Sequence, residues 1–123
     1  MKQCMIVDDS SVIRKVAKYI LTSLGYDVIE AENGREAIEK CQVRLPDAIL
    51  LDWDMPDMNG QEFLTTYMHS FRSRKPYIVY ATTENDPVDI ARALSMGASD
   101  FMLKPFDREA IEAKFAKLPQ PAL

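Results

Sequence analysis

The stretch AILLDWDMPDMNG, residues 48–60, decides the fold. Ala48, Ile49, Leu50 and Leu51 run unbroken into Asp52, and two further carboxylates, Asp54 and Asp57, follow within five positions. A short, non-alternating apolar run of this kind suits a strand buried on both faces of a parallel sheet. A carboxylate at the end of that strand stands at a dry edge, where burial and neighbouring like charges both penalise ionisation. A cation has to offset that cost.

Working outward, the remaining strands separate from helical patterns in strict alternation. The run at residues 3–9, QCMIVDD, is apolar until Asp8 and Asp9, and Ser10 or Ser11 then offers an N-cap. The following helix places Ile13, Val16, Ala17, Ile20 and Leu24 at spacings of three and four until Gly25 stops it. YDVIEA at 26–31 is a second strand, and Asn33 caps a helix carrying Ala37, Ile38 and Cys41 that ends before Pro46. Beyond Gly60, Phe63, Leu64 and Tyr67 mark a third helix. YIVYATT at 77–83 is strand four, and Pro87 opens a helix whose apolar positions are Ala91, Leu94 and Ala98. SDFMLK at 99–104 is strand five, and Ile111, Phe115 and Leu118 form a last amphipathic helix before a frayed PQPAL. Strands alternating with helices of this length give an α/β fold, a parallel sheet with helices on both faces.

With 123 residues the chain is expected to form one domain, without repeat, linker or output domain. Its 15 basic and 19 acidic residues leave a net charge of −4, which argues against a nucleic-acid surface. The basic run RSRK at 72–75 reads as a solvated loop. No apolar stretch approaches a membrane span, the first residues are too short and acidic for a signal peptide, and Cys4 and Cys41 read as buried thiols. These features predict a cytoplasmic protein. The single histidine, His69, excludes Ser-His-Asp and multi-histidine metal schemes and reads as a surface residue. Glycine-rich nucleotide motifs are missing.

In open parallel sheets, ligands bind outside the carboxyl ends of the strands. Asp8 and Asp9 end strand one, Asp52 strand three, Thr82 and Thr83 strand four, and Lys104 with Pro105 strand five. Strand two ends in EAEN and is expected at an edge, away from the crevice. Three carboxylates converge there only around a hard divalent ion, and Mg²⁺ suits an oxygen-only donor set. Carboxylates, metal, a lysine and a hydroxyl together make a phosphoryl-transfer site. Its nucleophile is a carboxylate, and Asp52 on the central strand is the choice. Thr82 is preferred to Thr83 because it directly follows the apolar strand.

The pair DD at 8–9, Asp52 in LLDWDMPDMNG, Thr82 after an apolar strand and KPF at 104–106 together resemble a response-regulator receiver domain, of the single-domain CheY-like kind. The resemblance runs over residues 3–118. It implies a (βα)5 flavodoxin-like sheet of order 2-1-3-4-5 and a protein phosphorylated on Asp52 by a sensor histidine kinase or a phosphotransfer protein. It also implies Mg²⁺ bound by Asp9, Asp52 and the Trp53 backbone carbonyl, with Asp8 acting through water. Lys104 would pair with the phosphoryl group across a cis Lys104–Pro105 bond. Thr82 would turn toward it, and Phe101 would move inward. Asp54 and Glu84 would flank the path of attacking water and tune the lifetime of the phosphorylated state. The target, a chemotaxis-type effector or a relay partner, would dock on the helix 4–strand 5–helix 5 face of a monomer. The protein would catalyse only its own phosphorylation and dephosphorylation. Phe101 departs from the tyrosine of chemotaxis regulators and carries no hydroxyl. Two other readings compete: a Mg²⁺-dependent phosphohydrolase with Asp52 as nucleophile and Asp54 as acid, and a flavodoxin-like carrier, which lacks a phosphate loop after strand one.

Overall fold

The computed structural model describes residues 2–70 and 76–116. The basic run at 72–75, Leu118 and PQPAL lie outside the described residues. Five strands and five helices alternate: β1 (Gln3–Val7), α1 (Ser11–Ser23), β2 (Asp27–Ala31), α2 (Gly34–Val43) and β3 (Ala48–Asp52), then α3 (Gly60–Ser70), β4 (Tyr77–Thr82), α4 (Pro87–Ser95), β5 (Asp100–Leu103) and α5 (Arg108–Phe115). The strands form one parallel sheet of order β2-β1-β3-β4-β5, with β2 at the edge as expected. The connection from β2 to β3 passes over β1, so the strand order reverses between β1 and β3.

Local chemistry sets the element ends. Ser10, Asn33, Asp86 and Asp107 cap their helices, each side chain accepting a backbone N–H of the first turn. Asn59 and Glu62 satisfy each other's backbone N–H groups at the start of α3, a reciprocal capping box. Gly25 ends α1 at φ 95°, in the left-handed region that only glycine enters without strain. The Lys104–Pro105 peptide is cis.

The sheet divides two cores. On one face Met5, Ile49, Leu51, Phe63, Leu64, Tyr67, Ile78 and Tyr80 are buried under α2, α3 and α4. On the other, Cys4, Ile6, Leu50, Val79 and Met102 are buried with Leu21, Ile111 and Phe115 of α1 and α5. Adjacent β3 residues thus feed opposite cores, which explains why AILL has no polar alternation.

Two helix faces differ from the pattern read in the sequence. In α1, Leu21 is fully buried and Val16 is 49% exposed. In α4, Ala93 is buried and Ile90 half-buried, while Leu94 and Ala91 are exposed. Both helices carry apolar residues on two sides, and periodicity alone does not say which stripe meets the sheet. The second stripe is left in solvent: Val12, Val16 and Tyr19 on α1, Val88 and Leu94 on α4.

Candidate functional site

Asp8 follows β1 and Asp52 ends β3, so the β1–β3 pairing brings the two acids side by side. Both are 4% exposed, whereas Asp9 is exposed. Ligand oxygens of Asp8, Asp9 and Asp52 lie within 4.8 Å of one another. Lys104 reaches in from the end of β5, its Nζ 3.0 Å from Asp52 Oδ1 and 3.2 Å from Asp8 Oδ2. Backbone N–H groups hold the acids from outside: Ser10 donates to Asp8 Oδ1, and Asp54 donates to Asp52 Oδ1.

Electrostatically the cluster is unfinished. Burial is the largest influence on Asp52 and lifts its carboxyl above the usual range; the Asp8 charge adds to this, and Lys104 opposes it. Burial works against the Lys104 ammonium too, but its bonds to Asp52 and Asp8 outweigh that and raise its pKa. One ammonium among three carboxylates leaves two negative charges over. A divalent cation balances them, and an all-oxygen donor set with an exposed member suits a hard ion that retains waters. The residues present therefore fit Mg²⁺.

The remaining predicted residues take distinct places. Thr82 is 4% exposed at the end of β4, and its Oγ1 accepts the Glu84 N–H; Thr83 is exposed. Glu84 and Asp54 are both exposed at the crevice rim. The Trp53 carbonyl accepts from Gly60 N–H at 2.9 Å, so only its second lone pair is left for a metal. Its indole leans on the Tyr80 ring, centroids 4.6 Å apart, and packs so closely on Gly60 that a Cβ there would sit 2.1 Å from a ring carbon. Trp53 is thus half-buried and wedged between Gly60 and Tyr80. Tyr80 continues to Phe101 at 6.1 Å, and Lys114 caps the Phe101 ring at 5.3 Å while bonded to Asp100. His69 is exposed, and both cysteines are buried and free.

Arg14 and Glu30 are polar residues near the site that the sequence reading passed over. Arg14 Nη1 donates to the Asp8 carbonyl at 2.6 Å, and its Nε donates to Glu30 Oε1 at 3.2 Å. Arg14 lies on the same side of α1 as the buried Ala17 and Leu21, and a lone cation on that side does not announce which strand-end carbonyl it bonds.

The family model for the response regulator receiver domain matches residues 4–116. The chain belongs to that family. Its receiver is 37% identical over 112 residues to chemotaxis protein CheY1 of Helicobacter pylori, covering 89% of this chain and 90% of that protein. Against chemotaxis protein CheY of Thermotoga maritima it is 38% identical over 106 residues, covering 85% and 87%. The solved structure of chemotaxis protein CheY4 of Vibrio cholerae superposes with a TM-score of 0.90 at 32% identity, over 97% of this chain and 99% of that one. The receiver's strand order and helix placement are those expected of the CheY-like fold. The hydrolase and flavodoxin readings are not favoured. No helix among the described residues is long and apolar enough to cross a membrane.

Proposed function

We propose that Asp52 is the phosphoacceptor of a response regulator of two-component signalling. The observation that carries this is the placement of Lys104 Nζ 3.0 Å from Asp52 Oδ1 inside the three-carboxylate cluster. A phosphorylated histidine of a sensor kinase or phosphotransfer protein supplies the group. An Asp52 oxygen attacks phosphorus, the new O–P bond forms as the P–N bond breaks, and the released imidazole nitrogen takes a proton from solvent.

Asp9 and Asp52 would hold Mg²⁺, with Asp8 acting through a water. The Trp53 carbonyl is the weakest member of that set, since Gly60 N–H already uses one lone pair. The bound ion supplies charge neutralisation on the transferring phosphoryl oxygens. Lys104 then follows the charge: it leaves its bonds to Asp8 and Asp52 and pairs with a phosphoryl oxygen. Thr82, whose Oγ1 accepts the Glu84 N–H, would turn to donate its hydroxyl proton to another oxygen, a bond worth roughly 1.5–3 kcal/mol when the acceptor is charged. That shift frees room beside β4 for Phe101. Asp54 and Glu84, exposed at the rim, set access for hydrolytic water.

Donor and target have separate surfaces in this reading. An apolar groove of about 360 Å³ is lined by Val12 and Val16 of α1 together with Lys104, Pro105 and Phe106. A helical phosphodonor would seat there with its histidine over Asp52. The target would use α4, β5 and α5, where Val88, Leu94 and Leu103 are exposed. The protein acts in the cytoplasm, where its kinase would present the phosphohistidine. Incubation with acetyl phosphate and Mg²⁺ tests the reading: one acyl phosphate per chain, on Asp52, is expected. Continuous turnover without accumulation, or labelling at another residue, would overturn it.

A further inference from the structure

We propose that Arg14 is a positioning residue for divalent-ion binding, linking the edge strand β2 to the acidic tip of β1. The inference rests on the reading that Asp8, Asp9 and Asp52 hold an ion.

Both sides of Asp8 are fixed by neighbours. Its N–H donates to the Ala31 carbonyl of β2 at 3.1 Å, and its own carbonyl accepts from Arg14 Nη1 at 2.6 Å. That carbonyl belongs to the peptide plane joining Asp8 to Asp9, so Arg14 sets the direction in which the chain leaves β1. Asp9 is exposed, and the aim of its carboxylate depends on the backbone carrying it. Arg14 itself is only 15% exposed and is turned by Glu30 Oε1 at 3.2 Å. Glu30 is secured in turn: Lys18 lies 3.7 Å from its other oxygen, and Lys40 bonds its backbone carbonyl.

The chemistry of the contact matters as much as its place. Lys104 occupies carboxylate oxygens and must give them up when a metal or phosphoryl group arrives. Arg14 donates to a carbonyl instead and spends its charge on Glu30, so it organises the tip without occupying a metal-binding oxygen. Outer partners of this kind orient ligands, and their loss typically weakens metal binding by about 10- to 100-fold. Glu30 has a second duty: without it the guanidinium is free to swing onto the carboxylates and compete with the ion.

Magnesium chloride titrated into the metal-free protein, followed by calorimetry and by Trp53 emission, reads the link. Thermal midpoints in EDTA are taken in parallel. Arg14→Met is expected to weaken Mg²⁺ binding about tenfold. Its EDTA midpoint should stay close to the parent's, and Arg14→Lys should recover part of the affinity. Glu30→Ala should weaken binding several-fold, whereas Arg108→Met, which breaks an exposed helix pair, should change nothing. Parental affinity in Arg14→Met overturns the proposal, as does a loss that merely follows the EDTA midpoint or appears equally in Arg108→Met. If Arg14→Met does not fold, Arg14→Lys and Glu30→Ala decide: unchanged binding in both overturns it. If the parent itself binds no Mg²⁺, the proposed function fails together with this inference; a binding parent with an indifferent Arg14 sinks the inference alone.

Discussion

The two flanks of the crevice are built on different terms. On the flank of β1 and β3, Asp8 and Asp52 are buried, and ammonium, guanidinium and backbone N–H groups hold the carboxylates and the Asp8 carbonyl. On the flank of β4 and β5, Thr82 Oγ1 accepts one N–H, and Phe101 rests between Tyr80 and Lys114. An aromatic pair contributes about 0.5–1.5 kcal/mol and a cation over a ring about 0.5–2 kcal/mol. A charge-assisted bond from Thr82 to a phosphoryl oxygen is worth roughly 1.5–3 kcal/mol, which rivals those contacts. The difference teaches a contrast in how the flanks are held: one is fixed by several charged and backbone contacts, and the other, on the proposed reading, is the one that a new charge on Asp52 would move.

Removing the centre of the β1–β3 flank has the largest expected effect. Asp52→Asn should take acetyl phosphate labelling from one group per chain to none, as measured by intact mass. Full labelling of that variant would break the comparison at its root. Lys104→Ala should retain Mg²⁺ binding yet lose most of the gain in target affinity on beryllofluoride treatment, because nothing then ties the phosphoryl group to β5. A pull-down with and without beryllofluoride checks this and identifies the target. An undiminished gain would free Lys104 from the switch.

Thr82→Ala moves to the β4–β5 flank and should cut the same gain about tenfold, the equivalent of one lost charge-assisted bond. Lys114→Met should act in the opposite sense. It uncaps Phe101 and should raise target affinity before phosphorylation, by about threefold given the strength of such contacts. Equal basal affinity would show that the cap does not restrain the ring.

The smallest effect is on stability. The folded Asp52 pKa lies above its ordinary value, so the folded protein binds that proton more tightly than the unfolded chain. Its contribution is present below the unfolded pKa and is lost as pH rises through the raised folded pKa. In EDTA at neutral pH, Asp52→Asn should therefore be more stable than the parent by about 1 kcal/mol, and the gap should close as pH falls through that window. Lys104 also has a raised folded pKa, so its contribution is complete at neutral pH and lost only in strong alkali. Saturating Mg²⁺ should erase the advantage of the asparagine variant. Thermal midpoints across pH measure all three.

The strand ends were legible because each apolar run stops at the residue that enters the site: Asp8, Asp52, Thr82 and Lys104. Helix caps at Asn33 and the break at Gly25 were equally plain, since capping and left-handed backbone are local chemistry. The helix faces were harder. Val16 and Leu94 fit an apolar period, yet both lie in solvent, because the sheet chose the neighbouring stripe. The sequence predicts strand two at an edge away from the crevice, and β2 is the edge strand. Glu30 at its end nevertheless reaches the site through Arg14, a contact spanning 16 positions that no local pattern announces.

Composition, alternation and the order of acids, threonine and lysine determined the class of fold, the family resemblance and the residues that meet at the strand tips. Those properties follow from short-range backbone preference and from the rule that parallel strands end together. Only the packed structure decided which stripe of α1 and α4 is buried, that Trp53 is wedged between Gly60 and Tyr80, and that Arg14 bridges Asp8 to Glu30. These depend on how helices rotate against the sheet, a choice made by side-chain volumes meeting from distant parts of the chain.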